Sequence, residues 1–322
     1  MELRQIRYAA QVAADKSFSR AAEKLHIAQP SLSQQIARLE SELGVLLFKR
    51  TTGFVELTYA GERFMEKAQK ILDLAEQLKQ EMEDISELKR GRLVVGSLPI
   101  TGSHIMPLVL PVYKSRYPQV EIVLTEDTTA NLEALTTQGK TDFSLLTLPL
   151  LEQSLEYEKL IEEEVCLALP HGHRLAAAPP GSGGGTVGGS SGSGSAGAAE
   201  EIDLSELRDE PFVLLKQGQG FRQIVMDLCE AAGFQPRVVF ESANIETVQS
   251  LVAAGMGIAF VPEMVTRSPR SRFVPVYRHL AGRPTRTLVI AYKHGRYLSN
   301  AAKAFISTMT EVVRSAQEQG EL

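Results

Sequence analysis

The feature that most constrains this chain is a heptad-spaced apolar repeat between residues 58 and 88. Its members follow one another at alternating distances of four and three residues, and charged side chains flank them; they are Phe64, Ala68, Ile71, Ala75, Leu78, Met82 and Ile85. This spacing predicts one helix, about 45 Å long at ~1.5 Å per residue, with a narrow apolar seam. A narrow seam favours pairing with a second chain, and packing against the same chain is the alternative. We therefore expect a linker helix over residues 59–90 that forms a homodimer through residues 59–88.

Upstream of this helix, residues 17–39 predict two short helices joined by a tight turn. Ser17 or Ser19 can cap the first of them. Pro30 suits the first turn of the second, because a proline lacks the N–H that would be unpaired there. The second helix has an apolar stripe formed by Leu32, Ile36, Leu39 and Leu43. An earlier helix over residues 2–15 is expected to face the core with Leu3, Ile6, Ala10 and Ala13.

The opposite face of the second helix is polar. Gln, Ser and Arg side chains can reach base edges and phosphates in a DNA major groove, and a solvated face on an ordinary surface helix is the alternative. A short hairpin follows over residues 46–58, with basic residues at its base that can contact phosphate. The residues predicted to bind DNA are Ser19, Gln29, Pro30, Ser31, Ser33, Gln34 and Arg38 on the helices, and Lys49 and Arg50 in the hairpin.

Residues 1 to about 90 resemble the DNA-binding half of the LysR-type transcriptional regulators. The matching residues, 17–61, are SFSRAAEKLHIAQPSLSQQIARLESELGVLLFKRTTGFVELTYAG. The resemblance implies a winged helix-turn-helix domain over residues 1–58, a linker helix that dimerises, and double-stranded promoter DNA as partner. It also implies a homotetramer in which a ligand changes the angle or spacing of the DNA-binding heads, with RNA polymerase as a further candidate partner.

Charge is unevenly distributed along the 322 residues. The first sixty residues hold eight Lys and Arg against six Asp and Glu, whereas the whole chain has a net charge of −5. A weakly positive head on an acidic body suggests that only the head contacts nucleic acid. No signal peptide and no apolar run of membrane-spanning length is apparent in the sequence, so we expect a cytoplasmic protein with no membrane partner.

Strand and helix patterns alternate from residue 91 onward, which predicts an α/β effector domain over residues 91–322 with a mostly parallel sheet. The first helix is expected at 103–116, and later strands at 165–169 and 273–277. Two lobes are predicted: lobe I over about 91–165 and 270–322, and lobe II over about 166–269. They are joined by crossings near residues 164–166 and 266–272. The resemblance implies the periplasmic-binding-protein type of fold, which closes on a ligand like a hinge.

One segment differs in composition from the rest of this domain. Residues 179–199 are rich in Gly and Ser, with nine Gly and five Ser between residues 181 and 198. Such a composition is typical of a flexible coil. We interpret it as a surface insert that carries no chemistry of its own.

A small molecule in an open α/β fold binds at the carboxyl ends of strands, against helix N-termini. Hydroxyl groups and free helix-end N–H groups at such ends suit a small organic anion, for example a carboxylate. Plain helix capping is the alternative for each residue. The predicted effector-binding residues are Ser97, Pro99, Ile100, Thr101, Ser103, Thr128, Thr147, Lys216, Gly218, Phe221 and Arg222.

Other chemistry has weaker support in the sequence. His171 and His173 lack companions at zinc-like spacing and favour a turn. Cys166 and Cys229 lie in apolar patterns typical of buried thiols, and a redox sensor that uses them is an alternative. The sequence contains no phosphate-binding loop, metalloprotease helix or nucleophile elbow, so we expect no enzyme, cofactor or metal. An α/β small-molecule-binding protein with N-terminal assembly helices is the second alternative.

Overall fold

A computed structural model describes residues 1–51, 54–85, 91–176, 201–267, 273–320 and 322. It divides into two compact units: Met1–Leu88 with Gln138–Lys140, and the remainder of the chain. The Gly- and Ser-rich insert predicted at 179–199 lies outside the described residues, as do the hairpin turn at 52–53 and the end of the predicted linker at 86–90. No helix in the described part of the chain is long and apolar enough to cross a membrane.

The first unit contains four helices and a small hairpin among its described residues. Its elements are α1 (Leu3–Asp15), α2 (Phe18–Lys24), α3 (Gln29–Leu43), β1 (Phe48–Thr51), β2 (Phe54–Leu57) and α4 (Tyr59–Ile85). β1 and β2 pair antiparallel with Phe48 opposite Leu57. Ser17 caps α2 by accepting a hydrogen bond from the Arg20 N–H at 3.4 Å. This is the predicted winged helix-turn-helix followed by a long helix.

The core of the first unit forms where α1, α2 and α3 meet the hairpin. Leu32, Ile36 and Leu39 of α3 are fully buried there, whereas Leu43 at the helix end is exposed. The stripe predicted for α1 is wrong in part. Ile6 is buried as expected, but the other buried apolar residues are Ala9 and Val12, while Leu3 is 42% exposed. Alanines occur on several faces of α1, so the sequence pattern admits two stripes rotated against each other.

Helix α4 buries only the beginning of its heptad seam. Phe64 is half-buried and packs against the core of the first unit, and Ala68 is 1% exposed. Farther along, an apolar stripe stays exposed on the single chain; its members are Ile71, Leu74, Leu78 and Met82. The Ile85 side chain lies outside the described residues. The exposed stripe runs from Ile71 to Met82, which is about 16 Å along the helix.

Lobe I of the second unit has a five-stranded sheet in the order β6-β11-β5-β3-β4. Its strands are β3 (Gly91–Ser97), β4 (Val120–Glu126), β5 (Phe143–Thr147), β6 (Leu155–Leu169) and β11 (Thr285–Lys293). Its helices are α5 (Pro99–Arg116), α6 (Thr129–Thr137) and α10 (Asn300–Glu318). β3 pairs in parallel with β4 and β5, but β11 is antiparallel to both β5 and β6. The parallel arrangement predicted for the sheet therefore holds only for its first three strands.

Lobe II is built around the second half of β6. Its other elements are β7 (Pro211–Leu215), α7 (Gly220–Ala231), β8 (Arg237–Ser242), α8 (Ile245–Ala253), β9 (Ala259–Pro262), α9 (Glu263–Arg267) and β10 (Val276–His279). β9 and β10 flank β6 antiparallel, and β7 pairs in parallel with β8. Phe212 and Phe260 pack edge to face in its core, with ring centroids 5.8 Å apart.

Two predicted boundaries in this unit are wrong. β6 begins at Leu155, not at residue 165, and crosses from lobe I to lobe II as one strand near residues 164–166. The second crossing lies at residues 280–284, between β10 and β11, and not at 266–272. β10 pairs with Cys166–Leu169, so residues 276–279 belong to lobe II. The error arose because sequence patterning locates a strand but does not identify its partner.

The first helix of lobe I also starts earlier than predicted. α5 begins at Pro99 instead of residue 103, because a proline is compatible with the first turn of a helix. This shift places Thr101 and Gly102 inside the first turn of α5. The carboxyl end of β3 therefore leads directly into a helix N-terminus.

Candidate functional site

The outer face of α3 carries the polar residues singled out by the sequence. Gln29, Pro30, Ser31, Gln34 and Arg38 are exposed, while Leu32, Ile36 and Leu39 hold the inner face in the core. The half-buried Ser33 accepts a hydrogen bond from the Gln29 amide at 3.0 Å. Across the described residues we find no hydrogen bond or ion pair made by the side chains of Gln34 and Arg38. Both groups, one helical turn apart, are available to an external partner.

The hairpin is attached to α3 by a carboxylate that sequence reasoning missed. Glu40 accepts hydrogen bonds from the backbone N–H groups of Leu47 at 2.7 Å and Phe48 at 3.1 Å. Glu40 therefore fixes the position of the hairpin relative to the exposed face. Lys49 is exposed beside this junction, and the Arg50 side chain lies outside the described residues. In the sequence, Glu40 is distinguished only by its place next to Leu39, at the edge of the apolar stripe.

The remaining DNA-binding candidate, Ser19, is exposed on α2. Nearby basic residues on α2 are used to brace α1: Arg20 donates to the Asp15 carbonyl at 3.0 Å, and Lys24 pairs with the Asp15 carboxylate. The hydrogen bond from Lys24, reinforced by one from Gln11, lowers the pKa of Asp15. The charges of α2 therefore serve partly to hold the helices together.

A second group of candidate residues lies at the start of α5. Ser97 is fully buried and donates to the Leu98 carbonyl at 3.1 Å, and Ser103 donates to the Ile100 carbonyl at 3.0 Å. Thr101 is also fully buried, but its hydroxyl has no hydrogen-bond partner among the described residues. Leu98, the N-cap residue, supplies no side-chain acceptor to the first turn of α5.

A second unpaired hydroxyl lies at the end of the neighbouring strand. Thr147 ends β5, is 3% exposed, and has no partner for its hydroxyl in the described part of the chain. Ser97 is the register partner of Leu145, so the carboxyl ends of β3 and β5 lie side by side. An unpaired buried hydroxyl costs about 1–3 kcal/mol, which a bound polar molecule can recover. The arrangement is therefore suited to hydrogen bonding with a ligand.

A cavity of about 640 Å³ lies next to Thr147. Three of the predicted effector-binding residues line it (Thr147, Gly218 and Arg222), together with residues of the same strand-end segments, among them Thr129, Pro149 and Gln217, and with Phe234. Thr129 bridges the lobes: its hydroxyl accepts from the Gly220 N–H at 3.1 Å, and its N–H donates to the Gly218 carbonyl at 3.3 Å. Gly218 adopts a φ of 87°, a backbone conformation that favours glycine. Thr129 was missed because its neighbour Thr128 has the same side chain and the same helix-start position.

The other effector candidates have different surroundings. Phe221 is buried in the core, where the Arg286 guanidinium lies 5.2 Å from its ring centroid. Arg222 pairs with Glu241 at 2.6 Å and donates to the Leu215 carbonyl at 2.5 Å, so its charge is already matched. Ile100 is buried in the core. Half-buried side chains, Pro99 and Thr128, lie near the strand ends, and Lys216 is exposed.

The two histidine candidates have different partners, and both cysteine candidates are buried and free. His171 bonds to the Val274 carbonyl at 2.8 Å, whereas His173 lies 3.2 Å from Glu210. Burial raises the pKa of the Cys229 thiol to about 12. Burial, with the nearby Glu164 charge, raises the pKa of Cys166 to about 12 as well. Both thiols are therefore protonated at neutral pH.

Comparison with known proteins assigns both parts of this chain. Residues 3–62 match the model described as "Bacterial regulatory helix-turn-helix protein, lysR family". The model of the "LysR substrate binding domain" matches residues 86–182 and 193–314. These two ranges together cover well over half of the chain. The chain belongs to the LysR family. The residues skipped by the second match, 183–192, fall inside the Gly- and Ser-rich insert.

Relatives within the LysR family align along almost the whole chain. An uncharacterized HTH-type transcriptional regulator YcgK of Bacillus subtilis is 39% identical over 99% of this chain and 97% of its own length. The DNA-binding transcriptional dual regulator OxyR of Escherichia coli is 29% identical over 92% and 90%, respectively. A solved full-length OxyR variant from Pseudomonas aeruginosa has a TM-score of 0.72 at 27% identity, covering 98% of this chain and 95% of that one.

These matches, with the architecture above, confirm the family and the fold class predicted from the sequence. The chain is a LysR-type transcription regulator with a helix-turn-helix domain and a two-lobed α/β effector-binding domain.

Proposed function

We propose that this LysR-family regulator binds double-stranded promoter DNA as a homodimer or homotetramer, and that it responds to a small organic anion bound between the lobes of its effector domain. The observation that carries the proposal is the exposed polar face of α3, on which Gln34 and Arg38 have no partner among the described residues. Gln and Arg make bidentate hydrogen bonds to adenine and guanine edges in the major groove. Lys49 adds a phosphate contact from the hairpin.

The exposed stripe of α4 supports the dimer. Ile71, Leu74, Leu78 and Met82 are each more than 40% exposed on the single chain. A second copy of the same helix can cover this stripe, and pairing then presents two α3 helices to two half-sites about one helical turn apart. The homotetramer and a contact with RNA polymerase are expectations taken from the family resemblance.

The unpaired hydroxyls support the choice of ligand. Thr101 is buried in the first turn of the 18-residue helix α5, which directly follows β3, and Thr147 is buried at the end of the neighbouring strand β5. A helix N-terminus carries a partial positive charge and unpaired N–H groups, so it favours a carboxylate or similar anion. The exposed Lys216 offers a positive charge that has no ion pair among the described residues, whereas Arg222 is paired with Glu241.

Some relatives are named hydrogen peroxide-inducible genes activators, for example that of Pectobacterium carotovorum. A peroxide-sensing function requires a reactive thiolate. Cys166 and Cys229 are 3% and 0% exposed, and burial raises the pKa of each to about 12. This chemistry favours the metabolite-sensing function over the redox alternative.

Fluorescence anisotropy with a labelled promoter duplex tests the proposal. The logarithm of the association constant should fall linearly with the logarithm of the salt concentration, because each phosphate contact releases counterions from the DNA. Lys49→Ala should reduce the magnitude of that slope by about 1 and weaken binding to all DNA sequences equally. Arg38→Ala should instead reduce the preference for the promoter sequence over unrelated DNA. Binding that is absent at every salt concentration would rule out DNA as the partner.

A further inference from the structure

Three potential metal ligands lie together where β6 and β10 pair in lobe II. Cys166 and His279 are direct antiparallel partners, so their side chains project from the same face of the sheet. Glu164 precedes Cys166 by two residues and shares that face. One ligand atom from each of the three residues lies within 4.8 Å of the other two, and His279 Nδ1 is 2.6 Å from Glu164 Oε1.

The cluster is buried on the side of Cys166 and Glu164 and accessible to solvent on the side of His279. Cys166 is 3% exposed and the Glu164 side chain 11%, whereas the His279 side chain is 40% exposed and gives solvent a way in. The two neighbouring glutamates are already neutralised: Glu163 pairs with Arg286 at 2.6 Å and Glu263 with Arg267 at 2.5 Å.

Arg283 is the one guanidinium seen near the Glu164 carboxylate in the described residues. Its Nη1 lies 3.6 Å from Glu164, while its Nε donates to Glu201 at the shorter distance of 2.8 Å. Glu164 therefore makes its closest contact with His279 and not with an arginine. The carboxylate is available to a cation that enters between it and the imidazole.

We propose that Glu164, Cys166 and His279 bind a late first-row transition-metal ion of the Zn²⁺ class, with water as the fourth ligand. A thiolate and an imidazole select such an ion over Mg²⁺ or Ca²⁺, which prefer oxygen ligands alone. Three protein ligands with water in the fourth position are the coordination found in catalytic zinc sites, whereas structural zinc sites use four protein ligands.

The geometry requires only side-chain adjustments. A tetrahedral Zn²⁺ site with bonds of about 2.0–2.3 Å places its ligand atoms roughly 3.3–3.6 Å apart. The imidazole nitrogen and the carboxylate oxygen must therefore separate by about 0.7 Å, and the sulfur must approach the other two ligand atoms by about 1.2 Å at most. Rotation of the His279 ring, whose side chain is 40% exposed, can supply the first movement, and rotation of the Cys166 and Glu164 side chains can supply the second.

The position of the site gives the bound ion a mechanical consequence. Glu164 lies where β6 crosses between the lobes, and His279 directly precedes the second crossing at residues 280–284. An ion that joins these two strands should stiffen both crossings. This inference concerns the effector domain alone and does not depend on DNA binding.

Titration of the full-length chain with Co²⁺, followed by competition with Zn²⁺, tests the site. We expect one Co²⁺ per chain, a thiolate-to-Co²⁺ charge-transfer absorption in the near ultraviolet, and displacement of both by Zn²⁺. Cys166→Ser should abolish the absorption, and His279→Gln and Glu164→Gln should each weaken Co²⁺ binding at least 10-fold. Zn²⁺ should also raise the melting temperature of the unmodified chain but not that of His279→Gln.

Two matched controls are present in the same chain. Cys229→Ser removes the other buried thiol, and His294→Gln disrupts a His–Glu pair of the same type, with Glu156 at 2.5 Å. Both should bind Co²⁺ like the unmodified chain. Absence of the charge-transfer band, its persistence in Cys166→Ser, or its loss in Cys229→Ser would overturn the proposal. If Cys166→Ser does not fold, His279→Gln still decides, since it alters an exposed side chain.

Discussion

The outer face of α3 and the strand ends of lobe I both carry polar residues selected from sequence, but the two regions differ in how those residues are bonded. On α3, Gln34 and Arg38 point outward and have no partner in the described part of the chain. At the end of β3 and the start of α5, Ser97 and Ser103 donate hydrogen bonds to nearby carbonyls, whereas the buried hydroxyls of Thr101 in α5 and Thr147 at the end of β5 have no partner among the residues that the structure describes. The proposed DNA-binding surface consists of exposed polar side chains, as expected for contact with a large partner. The proposed effector site depends instead on the few buried hydroxyl groups that lack hydrogen-bond partners in the described part of the chain.

The largest effect is expected at the bare surface. Gln34→Ala should lower specific affinity for promoter DNA roughly 10- to 100-fold, since a bidentate base contact contributes about 1–3 kcal/mol of discrimination. Gln11→Ala is the matched control: it removes an amide of the same unit that already bonds to Asp15 at 2.7 Å. Anisotropy titrations with both variants measure the difference. Equal affinities for the two would show that the α3 face is only a solvated surface.

The next largest effect concerns the dimer. Leu78→Glu places a charge in the exposed stripe of α4, so burial against a second copy becomes unfavourable. We expect the mass from light scattering to fall to a smaller species and DNA affinity to fall with it. Lys70→Glu, on the charged flank of the same helix, should leave the mass unchanged. A Leu78→Glu variant with unaltered mass would indicate that another surface joins the copies.

The two threonine environments in lobe I predict opposite effects on stability. Thr101→Val removes an unpaired buried hydroxyl, so the free energy of unfolding should stay constant or rise by about 1 kcal/mol. Binding of carboxylates, measured by calorimetry, should weaken roughly 10-fold. Thr136→Val is the control, because its buried hydroxyl bonds to Leu132, Thr141 and Ser144 at 2.7–2.9 Å. That variant should lose stability; a loss of stability in Thr101→Val as well would contradict the assignment of Thr101.

A smaller effect is expected at the contact between the lobes. A Cβ at Gly220 would lie 2.6 Å from Thr129 Oγ1, so Gly220→Ala must displace the threonine and weaken the 3.1 Å hydrogen bond. Effector affinity should fall a few-fold, with DNA binding by the free protein unchanged. An alanine at Gly172, where a Cβ meets nothing within 4 Å and φ is not in the left-handed region, provides a matched control away from the cavity. If both variants weaken effector binding equally, the contact between the lobes is not the cause.

The smallest effect is expected at the cysteines. With a pKa of about 12 against an ordinary value of 9.0, Cys229 at pH 8 has roughly 1,000-fold less thiolate than a free thiol. Peroxide should therefore leave DNA binding unchanged, and labelling by a thiol reagent should be slow in the folded chain. Because the folded pKa is raised, the stability contributed by the neutral thiols is complete below pH 9 and is lost as the pH rises toward 12. Fast labelling at pH 8 would instead support a redox function.

Sequence reasoning worked best where a repeated pattern fixes a face. Leu32, Ile36 and Leu39 define the buried side of α3, so its opposite side follows by geometry. The same reasoning did not find Glu40, because a single carboxylate that accepts two backbone N–H groups leaves no periodic signal. It also chose the wrong stripe on α1, where alanines on several faces made two stripes equally regular.

In the effector domain, local pattern located the strands but not their partners. β10 was expected in lobe I, yet it pairs with Cys166–Leu169 in lobe II, and this pairing joins residues more than 100 positions apart. The same long-range pairing brings His279 to Cys166 and Glu164. Likewise, Thr129 could not be distinguished from Thr128 by composition, since only the fold decides which of them meets Gly220.

The central claim is that a paired molecule presents two α3 faces to adjacent major grooves. Hydroxyl-radical footprinting of the full-length chain on its promoter duplex tests this claim most directly. The account predicts two protected segments with centres about one helical turn apart, both lost in Gln34→Ala and in Leu78→Glu. A single protected segment, or two that persist in both variants, would contradict it.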